Sequence, residues 1–302
     1  MTRSLADRFL HVCYNCAITD LDDTVAFFTT ELELSLVMRS PVTSSDGALL
    51  GFTSPIESAA AFLYDGRGPR SSPAVEVQGW KTPTVVGEVA SDSGDIGIHA
   101  LGFMVDDVDA SADRLVRAGC TRGESGGANS AYQFGGRGVR LRDPRGVGID
   151  LVARDAVSQD DGIRLSHVRI VCRNLATSVT WYQQFGFERV ETPELWGTTD
   201  AVVRLRLECN DVDILLTEAI SQGERRPART AANTRGLFRC ATRVESVAAA
   251  VTELASRGIP VVAGPSSVAI AGTELPDLVI AMVCDPDGIV YELVQRPADL
   301  FR

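Results

Sequence analysis

The sequence has no excess of basic residues, no long apolar run and few histidines. Its 29 lysines and arginines face 40 aspartates and glutamates, which gives a formal net charge of −11 at pH 7. A protein that binds nucleic acid needs a basic surface to neutralise phosphates, so this balance argues against a nucleic-acid partner. A local arginine cluster could still bind a small anionic substrate.

No stretch of the sequence approaches the length of a membrane-spanning helix, which is about 18 apolar residues. The first eight residues, Met1–Arg8, lack the apolar segment of a secretory signal. Hydrophobic residues make up 45 % of the chain, which is typical of a globular protein. We therefore expect a folded cytoplasmic protein without a membrane partner.

Histidine and paired cysteines are both scarce. The three histidines, His11, His99 and His167, each fall in a predicted strand, which leaves none for a Ser-His-Asp or Cys-His nucleophilic set. Cys13 and Cys16 have CxxC spacing, but they lie in a strand-like segment that points them to opposite faces. We expect reduced, buried cysteines rather than a disulfide framework or a zinc knuckle.

The chain contains one structural unit twice. Three pairs of segments recur in the same order: a strand and a capped helix (10–28 and 166–182), a strand and a helix that ends at glycine (101–119 and 240–258), and an Asp-Pro-x-Gly turn (143–146 and 285–288). This repeat predicts two domains, residues 5–154 and 163–297. The polar stretch 155–162 is the predicted linker.

These features resemble the vicinal oxygen chelate superfamily, which includes glyoxalase I, methylmalonyl-CoA epimerase, bleomycin-resistance proteins and extradiol dioxygenases. The resemblance lies in the histidine of the opening strand, the Val105–Val108 segment before a helix, and the Asp-Pro-x-Gly turn before a carboxylate. It covers nearly the whole chain, twice. It implies an α+β fold of two tandem domains, each built from paired βαβββ modules that form a half-open barrel. The first domain also resembles actinobacterial members found near natural-product pathways.

Alternation along the strands sorts the candidate site residues of the first domain. In the opening strand, His11, Cys13 and Asn15 share the cavity face. Glu76 and Asp150 also point inward from their own predicted strands. In the family a divalent metal is bound by one inward residue from each of four strands, so either His11 or Cys13 could fill the first metal position.

The resemblance implies a metal site on His11, Glu76 and Asp150, which match the first, second and fourth positions. Such ligands suit Zn, Fe, Co, Ni or Mn. The third position falls on Ala100, which is no ligand, and a bulge would be needed to turn the neighbouring His99 inward. Asp150 also stands where the family usually has the longer glutamate.

The second domain departs further from the family pattern. His167 and Glu292 match the first and fourth metal positions, and the second falls on Asp213 or Leu215. Arg239 occupies the third position, where its charge would repel a divalent ion. We therefore do not expect a metal in this domain.

Several polar residues are candidates for substrate binding: Asn15, Arg67, Arg169, Arg239 and Arg243. Arg67 belongs to a basic loop that could meet an anionic substrate tail. The strand arginines could clamp a carboxylate or phosphate of the substrate. Alternatively, they pair with Glu208 and Glu292 in a structural network, which is the interpretation we favour.

Three functions follow from these expectations. The first is an isomerase or lyase that acts next to a carbonyl of a polyketide-like or acyl-carrier-bound substrate by epimerisation, dehydration or cyclisation, with Glu76 or Asp150 as the base. The second is a metal-free small-molecule binding or resistance protein, which the missing ligand at Ala100 favours. The third is an Fe(II) dioxygenase, which would need His11, His99 and Asp150 together. Each function implies a small-molecule ligand, and the protein could be a monomer or a homodimer.

Overall fold

Each repeat folds as two modules, and each module is a strand, a helix and several further strands. The computed structural model of the chain describes residues 4–90, 95–123, 138–154, 162–190, 202–209, 212–219, 231–269 and 277–296. The first module contains β1 (Ala6–Ala17), α1 (Leu21–Glu31), β2 (Ser35–Arg39), β3 (Thr43–Ser45), β4 (Ile56–Tyr64) and β5 (Ala74–Thr82), with short 3-10 helices at Ile18–Asp20 and Ala48–Leu50. The second contains β6 (Gly97–Val105), α2 (Val108–Arg117), β7 (Thr121–Arg122), β8 (Gly138–Arg142) and β9 (Gly148–Ala153).

The second repeat follows the same plan. The third module contains β10 (Arg164–Cys172), α3 (Leu175–Gln183), β11 (Glu188–Val190), β12 (Val202–Arg206) and β13 (Asp213–Glu218). The fourth contains β14 (Gly236–Val244), α4 (Val247–Ser256), β15 (Val261–Val268), β16 (Leu278–Cys284) and β17 (Val290–Gln295).

The two modules of one repeat lie in different sheets. The first sheet joins the first and fourth modules in the order β15-β16-β17-β14-β1-β5-β4-β2, with β3 beside β4. The second sheet joins the third and second modules in the order β11-β12-β13-β10-β6-β9-β8-β7. Antiparallel pairing of β1 with β14, and of β10 with β6, connects the modules.

The expected α+β architecture of two tandem repeats is confirmed, and neither sheet closes into a barrel in the described part of the chain. The exchange of modules between the repeats is an additional finding. The domain limits 5–154 and 163–297 remain a prediction. Residues 155–161 of the predicted linker lie outside the described residues.

Polar caps and terminal glycines set the ends of the helices. The side chains of Asp107, Asn174 and Ser246 each accept a hydrogen bond from the backbone N–H three residues later. Such caps stabilise a helix by about 1 kcal/mol each. Gly119 and Gly258 follow α2 and α4 with φ of +96° and +73°, a left-handed conformation that favours glycine.

Alternation along β1 separates the core from the cavity face. Val12 and Tyr14 belong to the large apolar core, and the Tyr14 ring meets Phe28 of α1 edge-on at a centroid distance of 5.7 Å. The Tyr14 hydroxyl also donates to Asp143 Oδ2 at 2.7 Å, which fixes the Asp-Pro-x-Gly turn against the core. His11 lines a cavity on the other face of the strand.

No described helix is both long and apolar enough to cross a bilayer. All seven cysteines lie within the described ranges as free thiols, and only Cys209 is exposed.

Candidate functional site

Four strands of the first sheet bring four charged or polar side chains together. β1 contributes His11, β5 contributes Glu76, β14 contributes Arg239 and β17 contributes Glu292. The register explains the convergence, because Glu76 and Arg239 both pair with Cys13, while Glu292 and His11 both pair with Ala241.

These side chains lie at one cavity of about 540 Å³, which is within the range of small-molecule sites. Apolar residues form much of the wall: Met38, Phe62, Leu278, Ile280 and Val294. Hydroxyl groups also line it, from Ser40, Thr43, Ser45 and Ser58. We call His11, Glu76, Arg239 and Glu292 the charged cluster of the cavity. Each of its members is at most 6 % exposed.

Arg239 holds both carboxylates of the charged cluster. Its Nη2 donates to Glu76 Oε1 and Oε2 at 3.1 and 2.9 Å, and its Nε donates to Glu292 Oε2 at 2.7 Å. Its Nη1 contacts Gln78 Oε1 at 3.2 Å and Cys13 Sγ at 3.3 Å. All three nitrogens of the guanidinium are therefore engaged within the protein.

Burial and neighbouring charges shift the pKa values of Glu292 in the charged cluster and of Cys13 beside it. Burial alone would raise the pKa of Glu292, but the charge of Arg239 and the neighbouring His11 lower it to about 2. Burial raises the pKa of the Cys13 thiol well above its usual value. At neutral pH the cluster therefore contains an ionised Glu292, and Cys13 beside it remains a neutral thiol.

His11 lies close to both carboxylates of the charged cluster. Its Nε2 lies 3.2 Å from Glu76 Oε2 and 3.8 Å from Glu292 Oε2. Neither ring nitrogen has a hydrogen bond of acceptable geometry within the described structure. The ring packs edge-on against Phe62 at a centroid distance of 5.7 Å. His11 is thus a buried residue of the cavity wall, held by packing beside the two carboxylates.

The charged cluster does not fit the divalent metal that the family resemblance implies. His11, Glu76 and Glu292 stand at three of the four metal positions of this sheet, but the third position carries Arg239. A metal ion would need the same carboxylate oxygens that the guanidinium binds, and its charge would be repelled at these distances. Among the described residues, no group of three or more His, Cys, Asp or Glu side chains is disposed to hold a metal ion.

Asp150 and His99 require a correction, because they do not lie with His11 and Glu76. Both belong to the second module, whose strands β9 and β6 are part of the other sheet. His99 sits at an irregularity in the pairing of β6 with β10, and its Nε2 lies 2.8 Å from the backbone oxygen of Asp95. The position expected for Asp150 beside His11 is occupied by Glu292 of the second repeat.

The second sheet carries the equivalent strands but a different set of side chains. Arg169 follows His167 by two residues, just as Cys13 follows His11 by two. Arg169 pairs with Leu215, and Cys13 pairs with Glu76, so Leu215 takes the second metal position in this sheet. Arg169 Nε donates to Asp150 Oδ2 at 2.8 Å, and His167 Nε2 lies 3.4 Å from the same oxygen. Burial alone would raise the pKa of Asp150, but Arg169 and His167 bring it well below its usual range.

The two arginines of β12 in the second sheet bind Asp213. Arg204 Nη2 and Arg206 Nε lie 2.6 and 2.5 Å from its two carboxylate oxygens. This is the type of structural network that the sequence suggested, although its partner is Asp213 rather than Glu208.

Three other predicted substrate-binding residues do not line the described cavity. Arg67 pairs with Asp65 and donates to the backbone oxygen of Leu165, so it ties the first sheet to β10. Arg243 pairs with Asp7 through two hydrogen bonds.

Asn15, the third of them, is fully buried below the cavity. Its amide nitrogen donates to the backbone oxygens of Ala232 and Thr234, and its oxygen accepts from Trp80 Nε1. Its polar atoms therefore serve the fold.

Sequence reasoning missed the walls of the cavity. Four alternate residues of β4 line it: Ser58, Ala60, Phe62 and Tyr64. Leu278 and Ile280 of β16 do the same. Period-two alternation, applied to these strands as it was to β1, would have found them. Arg70 and Arg296 also line the cavity, but they lie outside the strands and had no such signal.

Comparison with known proteins finds a matching family model and solved structures with a similar fold. The family model described as Glyoxalase/Bleomycin resistance protein/Dioxygenase superfamily matches residues 8–151 and 164–293. Among solved structures, glyoxalase I from Zea mays is 19 % identical with a TM-score of 0.65, over 95 % of this chain and 92 % of that one. A Bacillus subtilis protein described as a candidate dioxygenase is 15 % identical with a TM-score of 0.64, over 98 % of this chain and 87 % of that one. At such identities the likeness concerns the fold alone, and a search of curated proteins finds no match.

Proposed function

The chain belongs to the Glyoxalase/Bleomycin resistance protein/Dioxygenase superfamily, and we propose that it binds a small, largely apolar molecule in the first-sheet cavity without a divalent metal. One observation carries this proposal. The guanidinium of Arg239 binds both Glu76 and Glu292, the carboxylates that a metal ion in this sheet would need.

The walls of the cavity support an apolar ligand. Burial of apolar surface contributes roughly 25 cal/mol per Å², and the side chains of Met38, Phe62 and Ile280 offer such surface. The polar groups are few and lie at defined places, as in most small-molecule sites. Within the charged cluster we assign the orientation of the ligand to His11, because Arg239 binds both carboxylates.

The geometry gives less support to the metal-dependent alternatives. An isomerase or lyase acting on a polyketide-like substrate through a metal on His11, Glu76 and Asp150 would need residues from both sheets. An Fe(II) dioxygenase that uses His11, His99 and Asp150 meets the same difficulty. Binding without metal requires no such rearrangement.

A second candidate function is proton transfer on the bound molecule without a metal. The pair of His11 Nε2 and Glu76 Oε2, 3.2 Å apart beside an apolar wall, favours it, since a carboxylate orients an imidazole that acts as a general base. Incubation of a recovered ligand with the protein in D₂O tests it. Protein-dependent deuterium uptake at a carbon next to a carbonyl, absent in His11→Ala, is the expected result; no uptake leaves binding alone.

The binding proposal is tested by filling the cavity. Ala60 lines the cavity from β4, so Ala60→Trp places an indole in the space of the ligand. Val262→Trp is the matched control, because Val262 is 54 % exposed on β15 and does not line the cavity. Titration with the dye anilinonaphthalene sulfonate, with and without EDTA, should show binding to the wild type and the control but not to Ala60→Trp. Binding that EDTA abolishes would contradict the proposal.

A further inference from the structure

The cavity of the first sheet has a cationic end, which is lined by Arg70, Arg296 and the phenol of Tyr64. We propose that the ligand of this cavity is an apolar monocarboxylate. Its carboxylate lies against Arg70 and Arg296, and its apolar body fills the space toward the charged cluster. This inference rests on the binding function proposed above and names the chemical class of the ligand.

The sheet topology brings these three side chains to the same end of the cavity. Tyr64 is the last residue of β4, Arg70 belongs to the loop between β4 and β5, and Arg296 is the first residue after β17. β5 is parallel to β1, β1 is antiparallel to β14, and β14 is parallel to β17. The end of β17 therefore lies at the same end of the sheet as the loop before β5.

Two strands show the order of the groups along the cavity. On β17 the lining residues are Glu292 and Val294, and Arg296 follows just beyond the strand. On β4 the apolar Phe62 likewise comes before Tyr64. Residues four apart in an extended chain are separated by about 13 Å. The distance between the charged cluster and the cationic end thus suits an elongated molecule with an apolar body and a polar head.

The charges of the lining favour a single negative charge on the ligand. The charged groups of the lining are three arginines and two glutamates: Arg70, Arg239, Arg296, Glu76 and Glu292. With histidine counted as neutral, the lining has one net positive charge, whereas the whole chain has a net charge of −11. A carboxylate would balance this local positive charge, and a phosphate dianion would exceed it.

The loop that carries Arg70 is held in place at several points. The carboxylate of Asp65 accepts a hydrogen bond from the backbone N–H of Leu165 at 3.0 Å, and Arg67 Nη2 donates to the backbone oxygen of Leu165 at 2.7 Å. The Arg8 guanidinium donates to the backbone oxygen of Arg70. A loop that is already ordered loses less conformational entropy when it binds a ligand. Arg67 therefore anchors the loop, and Arg70 is the arginine of the loop that lines the cavity.

Arg296 lies against the phenol of Tyr64. Burial raises the pKa of Tyr64, and a hydrogen-bonding contact with the Arg296 guanidinium opposes this rise. A guanidinium offers several N–H donors to a carboxylate, and a neutral phenol offers one O–H donor. The two side chains together can therefore donate to both oxygens of one carboxylate.

The experiment compares two dyes that share a ring system and differ by one charge. Anilinonaphthalene sulfonate is a monoanion that stands in for a carboxylate, and N-phenyl-1-naphthylamine is its neutral analogue. Both are titrated by fluorescence into the full-length wild type, Arg70→Gln, Arg296→Gln and the double variant. We expect the double variant to bind the anionic dye roughly 10-fold or more weakly than the wild type, as the loss of charge-assisted hydrogen bonds predicts. Binding of the neutral dye should not change.

Arg39→Gln is the matched control. It removes the same charge from β2, but Arg39 pairs with Asp22 and does not line the described cavity. This variant should bind both dyes as the wild type does.

A competition experiment tests the class of the ligand. Octanoate should displace the neutral dye from the wild type at roughly 10-fold lower concentration than octanamide, because octanamide lacks the charge that the arginines bind. The double variant should lose this preference. Equal displacement of the dye from the wild type by octanoate and octanamide would contradict the proposal.

Three results of the dye titrations would overturn the proposal. If the double variant binds the anionic dye as tightly as the wild type, while Ala60→Trp loses the neutral dye, the binding function stands and the assignment of the carboxylate end fails. If the double variant loses both dyes equally, the arginines support the cavity as a whole rather than a carboxylate. If Ala60→Trp keeps both dyes, the dyes bind outside the cavity, and the binding function fails as well.

Discussion

The two sheets place equivalent strands side by side, yet their cavity faces differ in one decisive respect. In the first sheet a single guanidinium, Arg239, holds two carboxylates, and His11 Nε2 lies within 4 Å of both. In the second sheet Arg169 holds Asp150, and His167 contacts the same carboxylate. The described cavity of about 540 Å³ is lined by residues of the first sheet.

The comparison of the two sheets shows that the residues of the described cavity come from both repeats of the chain. The proposed binding site is not a property of one repeat, because its residues come from the beginning of the first repeat and the end of the second. The cavity face of the other sheet is used by ion pairs such as those of Asp213. One sheet therefore lines the described cavity, and the other holds buried ion pairs on the equivalent face.

The largest expected effect is the loss of either buried cation. Arg239→Met removes the arginine that binds two buried carboxylates, and Arg169→Met removes the arginine that binds one, a loss that costs about 3–5 kcal/mol of stability. Arg122→Met is the control, because Arg122 and Asp113 form an exposed pair worth roughly 0–1 kcal/mol. Urea unfolding measures all three. If Arg169→Met cost as little as the control, Arg169 would not have the structural role assigned to it.

A smaller effect is expected from making the first sheet resemble the second. Glu76→Leu introduces the residue type found at Leu215 and leaves Arg239 paired with Glu292. Because one buried cation still faces one carboxylate, the loss should be about 1–3 kcal/mol, less than that of Arg239→Met. Urea unfolding of the two variants side by side checks this order, and equal losses would break the proposed equivalence of the sheets.

The response to acid provides a third test. The pKa of Glu292 is lowered from its ordinary value to about 2, so its stabilising effect is present above the unfolded-state pKa near 4.3 and lost as the pH falls toward 2. The urea concentration at the unfolding midpoint of the wild type should therefore decrease as the pH is lowered from about 5 to about 2. The Glu292→Gln variant should be less stable than the wild type at neutral pH, and its stability should decrease less steeply as the pH is lowered. A wild type and variant with parallel pH profiles would argue against the ion pair.

Much of this arrangement could be predicted from the sequence. Alternation placed His11 and Glu76 on a cavity face, and the family resemblance matched Arg239 and Glu292 to metal positions of the second domain. The structure brings these four together. The sequence could not show which modules pair, because the repeats have similar strands and either pairing buries similar apolar faces. Asp150 was therefore assigned to the place that Glu292 fills.

The strand register was a second limit. Asp213 and Leu215 both lie at cavity-facing positions of β13, and only the pairing of Arg169 with Leu215 assigns the metal position. A shift of two residues keeps the hydrophobic pattern intact, so periodicity alone cannot detect it.

A fourth expected effect concerns the two Asp-Pro-x-Gly turns. Burial and the charge of Asp287 raise the pKa of Asp285 to about 7, although backbone N–H groups oppose this. Its counterpart Asp143 accepts a hydrogen bond from the Tyr14 hydroxyl, whereas Asp285 Oδ2 has no hydrogen-bond partner in the described structure.

Because the folded-state pKa of Asp285 is raised, its stabilising effect is present below the unfolded-state pKa near 3.9 and lost as the pH rises through about 7. Asp285→Asn should therefore raise the melting temperature at pH 8 more than at pH 5. Asp143→Asn is the control and should give a smaller gain, because it disturbs the bond from Tyr14. Equal gains in melting temperature for the two variants would show that Asp285 and Asp143 do not differ in their effect on stability.

The most direct test of the central claim is anomalous X-ray diffraction at the cobalt edge from wild-type crystals soaked in Co²⁺. We predict a guanidinium between Glu76 and Glu292 and no anomalous peak within the charged cluster. A cobalt peak coordinated by His11, with Arg239 displaced from the carboxylates, would contradict the account.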